Sequence, residues 1–166
     1  MSNGIKVLLG TSTFAELDSS PMEKLVSAGF EVINNPFRRK LTKQELISLL
    51  PGVKGLIAGL ETLDEEVMSI SELKVISRCG SGISNIDMEA ARKKGIKVFF
   101  TPYGPTTAVA ELTVGAMLNL LRMVSFMDRD MHEGKWTKKV GAQLEGKTIL
   151  IFLFGIMGRK VAFLLQ

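Results

Sequence analysis

Short apolar runs alternate with segments of helical pattern from Lys6 to Phe99, and this alternation constrains the fold more than any other feature of the sequence. The apolar runs span residues 6–9, 30–33, 55–58, 73–77 and 96–99. The helical segments between them span residues 21–28, 43–50, 64–69 and 87–94. Apolar runs of this kind are typical of strands buried on both faces, and their alternation with helices is typical of a parallel sheet. The order therefore predicts an α/β fold whose sheet carries helices on both faces.

One of these helices has a clear start and stop. Thr42 precedes the segment 43–50 and Glu45 occupies its third helical position. This spacing predicts a capping box, in which each side chain accepts a hydrogen bond from the backbone N–H of the other residue. Pro51 and Gly52 then end the helix.

The 166 residues include one cysteine, Cys79, and one histidine, His132. A single cysteine excludes an intrachain disulfide and a cysteine-built zinc site, and we expect no metal. His132 lies among the charged residues of 128–133 without a Cys/His or carboxylate constellation, which favours a solvated helix end over a catalytic role. No secretory pattern precedes Lys6, and the lone cysteine suits a reducing compartment, so the sequence predicts a cytoplasmic protein.

The charge pattern argues against two classes of partner. The net charge of +4 comes from 21 basic and 17 acidic residues that are scattered along the chain. Nucleic-acid binding would require a basic stripe with aromatic platforms, and we find none. The longest apolar stretch, 108–127, contains Glu111 and Arg122, which would be costly in lipid. We therefore expect a soluble protein that binds neither nucleic acid nor membrane.

A long helix is predicted from about Thr106 to Met123. Its apolar residues surround the helix axis instead of forming one stripe. A helix of this kind must be buried on most sides, and a single α/β domain covers only one of them. The sequence thus predicts that a second domain or a second chain covers the rest, and we expect a homodimer formed through residues 106–139.

The last segment of the sequence has the pattern of one βα unit. Residues 149–154 are apolar and are predicted to form a buried strand, and residues 155–166 are predicted to form the following helix. A complete βαβ unit needs about 30 residues. We therefore expect the start of a second α/β domain in this segment.

A glycine-rich loop follows the fourth predicted strand and precedes a helix, which is where open α/β sheets bind ligands. Gly80 and Gly82 allow a ligand close to the backbone, whose successive N–H groups could hold a carboxylate. Ser81 could add a hydroxyl group and Arg78 a charge-assisted hydrogen bond. On spacing alone, a glycine-rich turn without a ligand is the alternative.

A second glycine loop follows the predicted strand 149–154. Gly155 and Gly158 match the later glycines of the dinucleotide pattern G-x-G-x-x-G, where they allow pyrophosphate to approach and the helix to pack on its strand. Leu153 stands where the pattern has its turn glycine. Alone, this loop is also consistent with a purely structural turn.

Taken together and in order, these segments resemble the D-isomer-specific 2-hydroxyacid dehydrogenases, and within that family the phosphoglycerate dehydrogenases. The strongest match is residues 73–87, which read LKVISRCGSGISNID. The match continues through Gly95-Ile96-Lys97-Val98, Thr101-Pro102, Ala108-Val109-Ala110-Glu111, Gly134-Lys135-Trp136, Leu144-Glu145-Gly146-Lys147-Thr148 and residues 155–158. The resemblance covers essentially the whole chain.

The resemblance implies a fold and an activity. Residues 1–102 would form a flavodoxin-like, doubly wound substrate domain. Residues 103–166 would form an interdomain and dimerisation helix followed by the incomplete start of a Rossmann domain that binds NAD. The family interconverts 2-hydroxy and 2-keto acids by transferring a hydride to or from nicotinamide.

The resemblance also implies roles for individual residues. The substrate carboxylate would be held by the backbone of Ser81, Gly82 and Ile83, with Arg78 facing the substrate and Ser81 also near the nicotinamide. The NAD pyrophosphate would be lined by four consecutive residues, Gly155, Ile156, Met157 and Gly158.

The family's catalytic Arg, Glu and His belong to a later part of the Rossmann domain, and His132 matches none of them. We therefore expect no catalytic residue, no hydride transfer and weak or absent NAD binding from this chain alone. The alternative is a non-catalytic flavodoxin-like module for binding or oligomerisation.

Three positions depart from the family pattern. Leu153 replaces the turn glycine, and Ile156 replaces an arginine that contacts the cofactor phosphates. Gly59 stands where phosphoglycerate enzymes tend to carry a substrate-binding arginine. The third departure weakens the assignment of phosphoglycerate as the substrate.

Overall fold

The structure, a computed structural model, describes residues 4–166, and its strands lie where the sequence predicts the first five. They are β1 (Lys6–Leu9), β2 (Glu31–Asn34), β3 (Val53–Ala58), β4 (Val75–Arg78) and β5 (Lys97–Phe100). All neighbours pair in parallel, in the order β2-β1-β3-β4-β5. This is the flavodoxin-like order, in which the chain winds outward in both directions from β1 and β3. The predicted α/β class and parallel sheet are confirmed.

Four helices connect these strands, each within two residues of its predicted bounds. They are α1 (Ser20–Ser27), α2 (Lys43–Leu49), α3 (Glu65–Ile70) and α4 (Met88–Lys93). The core lies between the sheet and three of them: Leu8, Leu56 and Ile76 are at most 1 % exposed and pack with buried residues of α2, α3 and α4. On the opposite face, Leu25 of α1 borders an apolar groove of about 480 Å³ over β1, β3 and β4.

The capping box of α2 is confirmed. Thr42 Oγ1 accepts a hydrogen bond from the Glu45 backbone N–H at 3.3 Å, and Glu45 Oε2 accepts one from the Thr42 N–H at 2.8 Å. Arg39 adds two hydrogen bonds to the same carboxylate, at 2.9 and 2.6 Å. These bonds, first those from Arg39 and then the one from Thr42, lower the pKa of Glu45 to about 2.

The depressed pKa of Glu45 predicts a pH dependence of stability. In the unfolded chain the carboxyl titrates near its ordinary value of 4.5, so its stabilisation is fully present above that pH and is lost as the pH falls toward 2. We expect Glu45→Gln to lower the melting temperature at pH 7. The difference in melting temperature between this variant and the parent should shrink steadily as the pH falls from 5 to 2. Thermal unfolding over this range measures it, with Glu16→Gln, an exposed carboxyl elsewhere, as control. A gap that stays constant down to pH 2 would contradict the prediction.

The structure divides after Pro102 into two compact units. The second contains α5 (Thr106–Arg122), α6 (Val124–His132) and α7 (Ile156–Leu164), and α5 packs against α7. The long helix that was predicted for residues 106–123 forms, and both of its ends lie within one residue of the predicted positions. It ends at Arg122 because Met123 adopts the left-handed conformation, with φ +55°, and α6 begins directly afterwards.

The predicted strand 149–154 is wrong. Within residues 4–166 no strand forms in this segment, although the helix after it forms as α7. An isolated apolar run has no ladder of hydrogen bonds until a second strand lies beside it. The expected βα unit is therefore represented by its helix alone.

The structure bears on two expectations, one about a membrane span and one about a secretory signal. Among the described residues no single helix is long and apolar enough to cross a membrane; α5 and α6 together meet the criterion of length and composition, but they are bent by 66°. The expected absence of a secretory signal also concerns residues 1–3, which lie outside the described residues.

Candidate functional site

The carboxyl ends of three neighbouring strands surround a polar pocket of about 320 Å³. Gly10 follows β1, Gly59 follows β3, and Arg78 is the last residue of β4. The wall is completed by residues from the turns after these strands: Thr11, Ser12, Thr13, Lys40, Leu60, Glu61 and Cys79. Because β1 and β3 are the adjacent strands from which the chain winds in opposite directions, this is the switch point at which doubly wound sheets bind ligands.

Arg78 is buried in this pocket, with only 8 % of its surface exposed. Its Nη1 donates a hydrogen bond to the carbonyl oxygen of Cys79, while its Nε has no acceptor among the described residues. The guanidinium lies directly against Gly80, where an added Cβ would be 2.5 Å from Nη1. Gly80 has φ +147°, a conformation that side chains rarely allow. The glycine therefore makes room for the arginine.

The loop after β4 is fixed at both ends. Gly80 N–H donates to Thr101 Oγ1 at 3.1 Å, and Thr101 N–H donates to the Gly80 carbonyl at 3.1 Å. At the other end, Asn85 Nδ2 donates to the carbonyls of Glu61 at 2.7 Å and Gly59 at 3.3 Å. These bonds join the loop to the segment after β3, so the two form one wall.

Between those anchors the backbone is free to bind a ligand. The N–H groups of Ser81, Gly82 and Ile83 donate to no acceptor within the part of the chain that the structure describes. Gly82 is exposed, and nothing lies within 4 Å of the place where its Cβ would be. Consecutive free N–H groups are complementary to a carboxylate, and the Arg78 guanidinium lies against Gly80 at the start of the same loop.

Glu61 is the functional candidate that the sequence interpretation missed. Its side chain is 1 % exposed, and its Oε1 accepts a hydrogen bond from the Gly59 N–H at 2.8 Å. Its Oε2 is buried and receives no hydrogen bond from a described residue. The carboxyl group lies between Gly10 and Gly59, and an added Cβ at either glycine would overlap it. Glycines directly after two neighbouring strands are the sequence signal that could have drawn attention to this residue.

The second glycine loop belongs to the other unit. Gly155 caps the N-terminus of α7 and has open space beside its Cα, whereas a Cβ at Gly158 would be 2.7 Å from the Leu153 carbonyl oxygen. Leu153 itself has φ +72°. Leu153 thus adopts, in the place of the pattern's turn glycine, a conformation that favours glycine. Gly155 leaves open space beside its backbone, and the exposed Ile156 adds no charge.

The strained leucine predicts a stabilising substitution. A bulky residue at positive φ lowers stability by about 1–2 kcal/mol. Glycine removes this strain, but part of the gain is lost because glycine makes the unfolded chain more flexible. We expect Leu153→Gly to raise the free energy of unfolding by about 0.5–1 kcal/mol, measured by urea titration. Leu150→Gly is the matched control, since Leu150 is similarly exposed but lacks a positive φ, and it should lower stability instead. Equal losses from both variants would refute the account of Leu153.

His132 lies where a solvated helix end was predicted. It is the last residue of α6, its side chain is exposed, and its Nδ1 is 2.9 Å from the Asp128 carbonyl oxygen. No group of three or more His, Cys, Asp or Glu side chains in residues 4–166 could hold a metal ion.

The fold defines an α/β protein with a pocket, lined by Arg78 and Glu61, at the switch point of its sheet. Comparison with known families refines this class. The sequence profile of "D-isomer specific 2-hydroxyacid dehydrogenase, catalytic domain" matches residues 11–156. The chain belongs to that family.

Individual relatives are similar over most of this chain. Human D-3-phosphoglycerate dehydrogenase is 38 % identical over 165 residues, which is 97 % of this chain and 30 % of the human protein. A Thermotoga maritima hydroxypyruvate reductase is 38 % identical over 126 residues, 74 % of this chain and 41 % of that protein. The chain thus spans about a third of the length of these curated relatives.

Solved structures agree on the fold. A Thermus thermophilus protein superposes with a TM-score of 0.83 at 31 % identity, covering 97 % of this chain and 52 % of that one. The 3-phosphoglycerate dehydrogenase of Entamoeba histolytica, solved with NAD+ bound, superposes with a TM-score of 0.75 at 28 % identity, covering 98 % of this chain and 50 % of that one.

Proposed function

We propose that this chain supplies the substrate-binding part of an NAD-dependent 2-hydroxyacid dehydrogenase. The observation that carries the proposal is the buried Arg78 guanidinium, whose Nε has no acceptor among the described residues, together with the free N–H groups of Ser81, Gly82 and Ile83 in the loop that follows it. Together these groups would hold the carboxylate of a 2-hydroxy or 2-keto acid. The relatives are named for different acids, phosphoglycerate and hydroxypyruvate, so the proposal at this level covers the substrate class.

NAD is the cofactor we propose for the complete activity. Bound nicotinamide would accept a hydride from the hydroxy acid or return it to the keto acid. In this chain Gly155, Ile156, Met157 and Gly158 would line the pyrophosphate, and Ser81 would lie near the nicotinamide. The open backbone at Gly155 supports the first assignment, and the Entamoeba relative with NAD+ bound supports the choice of cofactor.

We further propose that the 166 residues alone bind the acid without turning it over. No side chain of the carboxylate site pairs with a histidine, and the one histidine of the chain lies exposed at the end of α6. Proton transfer to the substrate oxygen needs an acid–base group within hydrogen-bond reach. NADH formation from the purified chain and any 2-hydroxy acid, above a mock preparation, would contradict this.

A homodimer is the assembly we propose, formed through the segment 106–139. Four apolar residues of α5 recur at helical spacing and are exposed: Val109, Leu112, Ala116 and Leu120. Leu112 and Leu120 are 73 % and 78 % exposed, which is typical of residues that a partner covers. The same stripe favours the alternative function as an oligomerisation module, which would share the dimer but not the binding of an acid.

The experiment that tests the proposed function replaces Arg78. We expect Arg78→Met to weaken binding of D-lactate or pyruvate by about 30-fold or more, because a charge-assisted bond to the carboxylate is lost from a buried site. Titrations followed by NMR of the labelled chain measure the affinity. Arg92→Met, which removes an exposed arginine from α4, should leave it unchanged. Binding that survives Arg78→Met, or no binding of either acid to the parent, would overturn the proposal.

A further inference from the structure

The pocket that is lined by Arg78 is also lined by a buried acidic side chain, that of Glu61. Arg78 and Glu61 line the same cavity, are 8 % and 1 % exposed, and form no ion pair with each other among the contacts of the described residues. Each retains one polar atom without a partner in residues 4–166, Nε of Arg78 and Oε2 of Glu61. Buried polar atoms normally have partners, because leaving one without a hydrogen bond costs free energy. We therefore expect both atoms to form hydrogen bonds with a molecule from outside the chain.

The position of Glu61 is built into the backbone. The carboxyl group lies between the two glycines that follow β1 and β3, and the Gly59 N–H fixes Oε1. Because a Cβ at Gly10 or Gly59 would overlap the carboxyl group, residues at these positions must be glycine for the side chain to fold inward. Oε2 receives no hydrogen bond from a described residue, and the side chain lines the cavity.

We propose that Glu61 selects among substrates by the group on their third carbon. This site prefers 2-hydroxy or 2-keto acids in which that carbon carries an uncharged hydroxyl group. The inference rests on the function proposed above, with the acid's carboxylate held at Arg78 and the loop 81–83. The hydroxyl group donates to Glu61, which satisfies the oxygen that has no donor among the described residues. A methyl group at that carbon cannot donate and leaves Oε2 buried and unpaired.

A phosphate group in the same position is disfavoured. Two acidic groups would meet in a buried site, where charges are weakly screened. Gly59 also offers no cation where phosphoglycerate enzymes tend to carry an arginine. Lys40 lines the mouth of the pocket, but its side chain is exposed to solvent and its attraction is weakened accordingly. An ammonium group could also donate to Glu61, but it would have to lose its hydration shell and would share the cavity with the Arg78 guanidinium, two costs that an uncharged hydroxyl group avoids.

The test compares acids that differ only at the third carbon. D-lactate carries a hydrogen there, D-glycerate a hydroxyl, D-isoserine an ammonium and D-3-phosphoglycerate a phosphate. Titration of the full labelled chain by NMR gives each dissociation constant, and the amide of Gly59 reports directly on the Glu61 contact. We expect D-glycerate to bind at least about fivefold more tightly than each of the other three.

A pair of variants assigns the preference to the carboxyl group. Glu61→Gln keeps the size of the side chain and removes its negative charge, so the preference for glycerate over phosphoglycerate should fall to within about twofold. Glu65→Gln, an exposed glutamate of α3, is the matched control and should keep the full preference. The comparison of acids on the parent chain decides the question even if Glu61→Gln does not fold.

The outcomes separate this inference from the proposed function. Equal binding of glycerate and lactate that is lost in Arg78→Met would leave the proposed function standing and overturn the role of Glu61. Tighter binding of phosphoglycerate or isoserine would overturn it as well. Failure of all four acids to bind would overturn the proposed function, and this inference with it.

Discussion

Gly80→Ala is expected to lower the free energy of unfolding by about 2–4 kcal/mol and to abolish binding of 2-hydroxy acids. Two effects add. The backbone at Gly80 has φ +147°, which an alanine adopts only with strain. The new Cβ would also lie 2.5 Å from Arg78 Nη1 and 3.0 Å from its Cζ, so the guanidinium must leave its place. The displaced guanidinium leaves the position in the pocket from which it would hold the carboxylate.

Gly82→Ala is the natural control for this experiment. It lies in the same loop, but its φ is not positive and nothing is within 4 Å of the added Cβ. We expect its stability to stay within about 0.5 kcal/mol of the parent. Urea unfolding measures both variants, and NMR titration with D-lactate measures binding by Gly80→Ala. A Gly80→Ala chain as stable as the parent would show that the arginine does not occupy the space beside this glycine.

The sheet could be predicted from the sequence because each strand carries its own pattern. Short runs rich in apolar residues and bounded by turn residues identify β1 to β5, and the capping box at Thr42 helps to fix α2. The segment 149–154 has the same apolar pattern and yet forms no strand. The pattern reports only that a residue run suits burial; whether a second strand lies beside it is a property of the tertiary structure.

The candidate site could be predicted only in part. Arg78 and the loop 80–83 are adjacent in the sequence, so their chemistry is visible there as one motif. Glu61 becomes a site residue through burial between Gly10 and Gly59, which the parallel pairing of β1 and β3 brings together. No local pattern of residues expresses that burial. At Leu153 the sequence shows a departure from the turn glycine of the dinucleotide pattern, and only the structure shows that the leucine lies at φ +72°.

The apolar stripe of α5 carries the second large prediction: the chain is a dimer at micromolar concentration, and two charges on the stripe make it a monomer. Covering exposed leucines contributes about 25 cal/mol for each Å² removed from water. Leu112 and Leu120 lie eight residues apart, close to the same side of the helix, with Ala116 between them. In a self-complementary dimer each change is present twice, so Leu112→Glu with Leu120→Glu would place four carboxylates in one apolar contact.

Light scattering coupled to size exclusion gives the mass directly. We expect twice 18.2 kDa for the parent and a single 18.2 kDa chain for the double variant. Leu17→Glu is the matched control, because Leu17 is fully exposed but lies in the other unit, outside the stripe, and it should leave the dimer intact. D-lactate binding by the monomeric variant also tests whether the carboxylate site depends on the dimer. If D-lactate binding is unchanged in the monomeric variant, the carboxylate site is complete within one chain. A well-folded parent monomer at micromolar concentration would overturn the dimer.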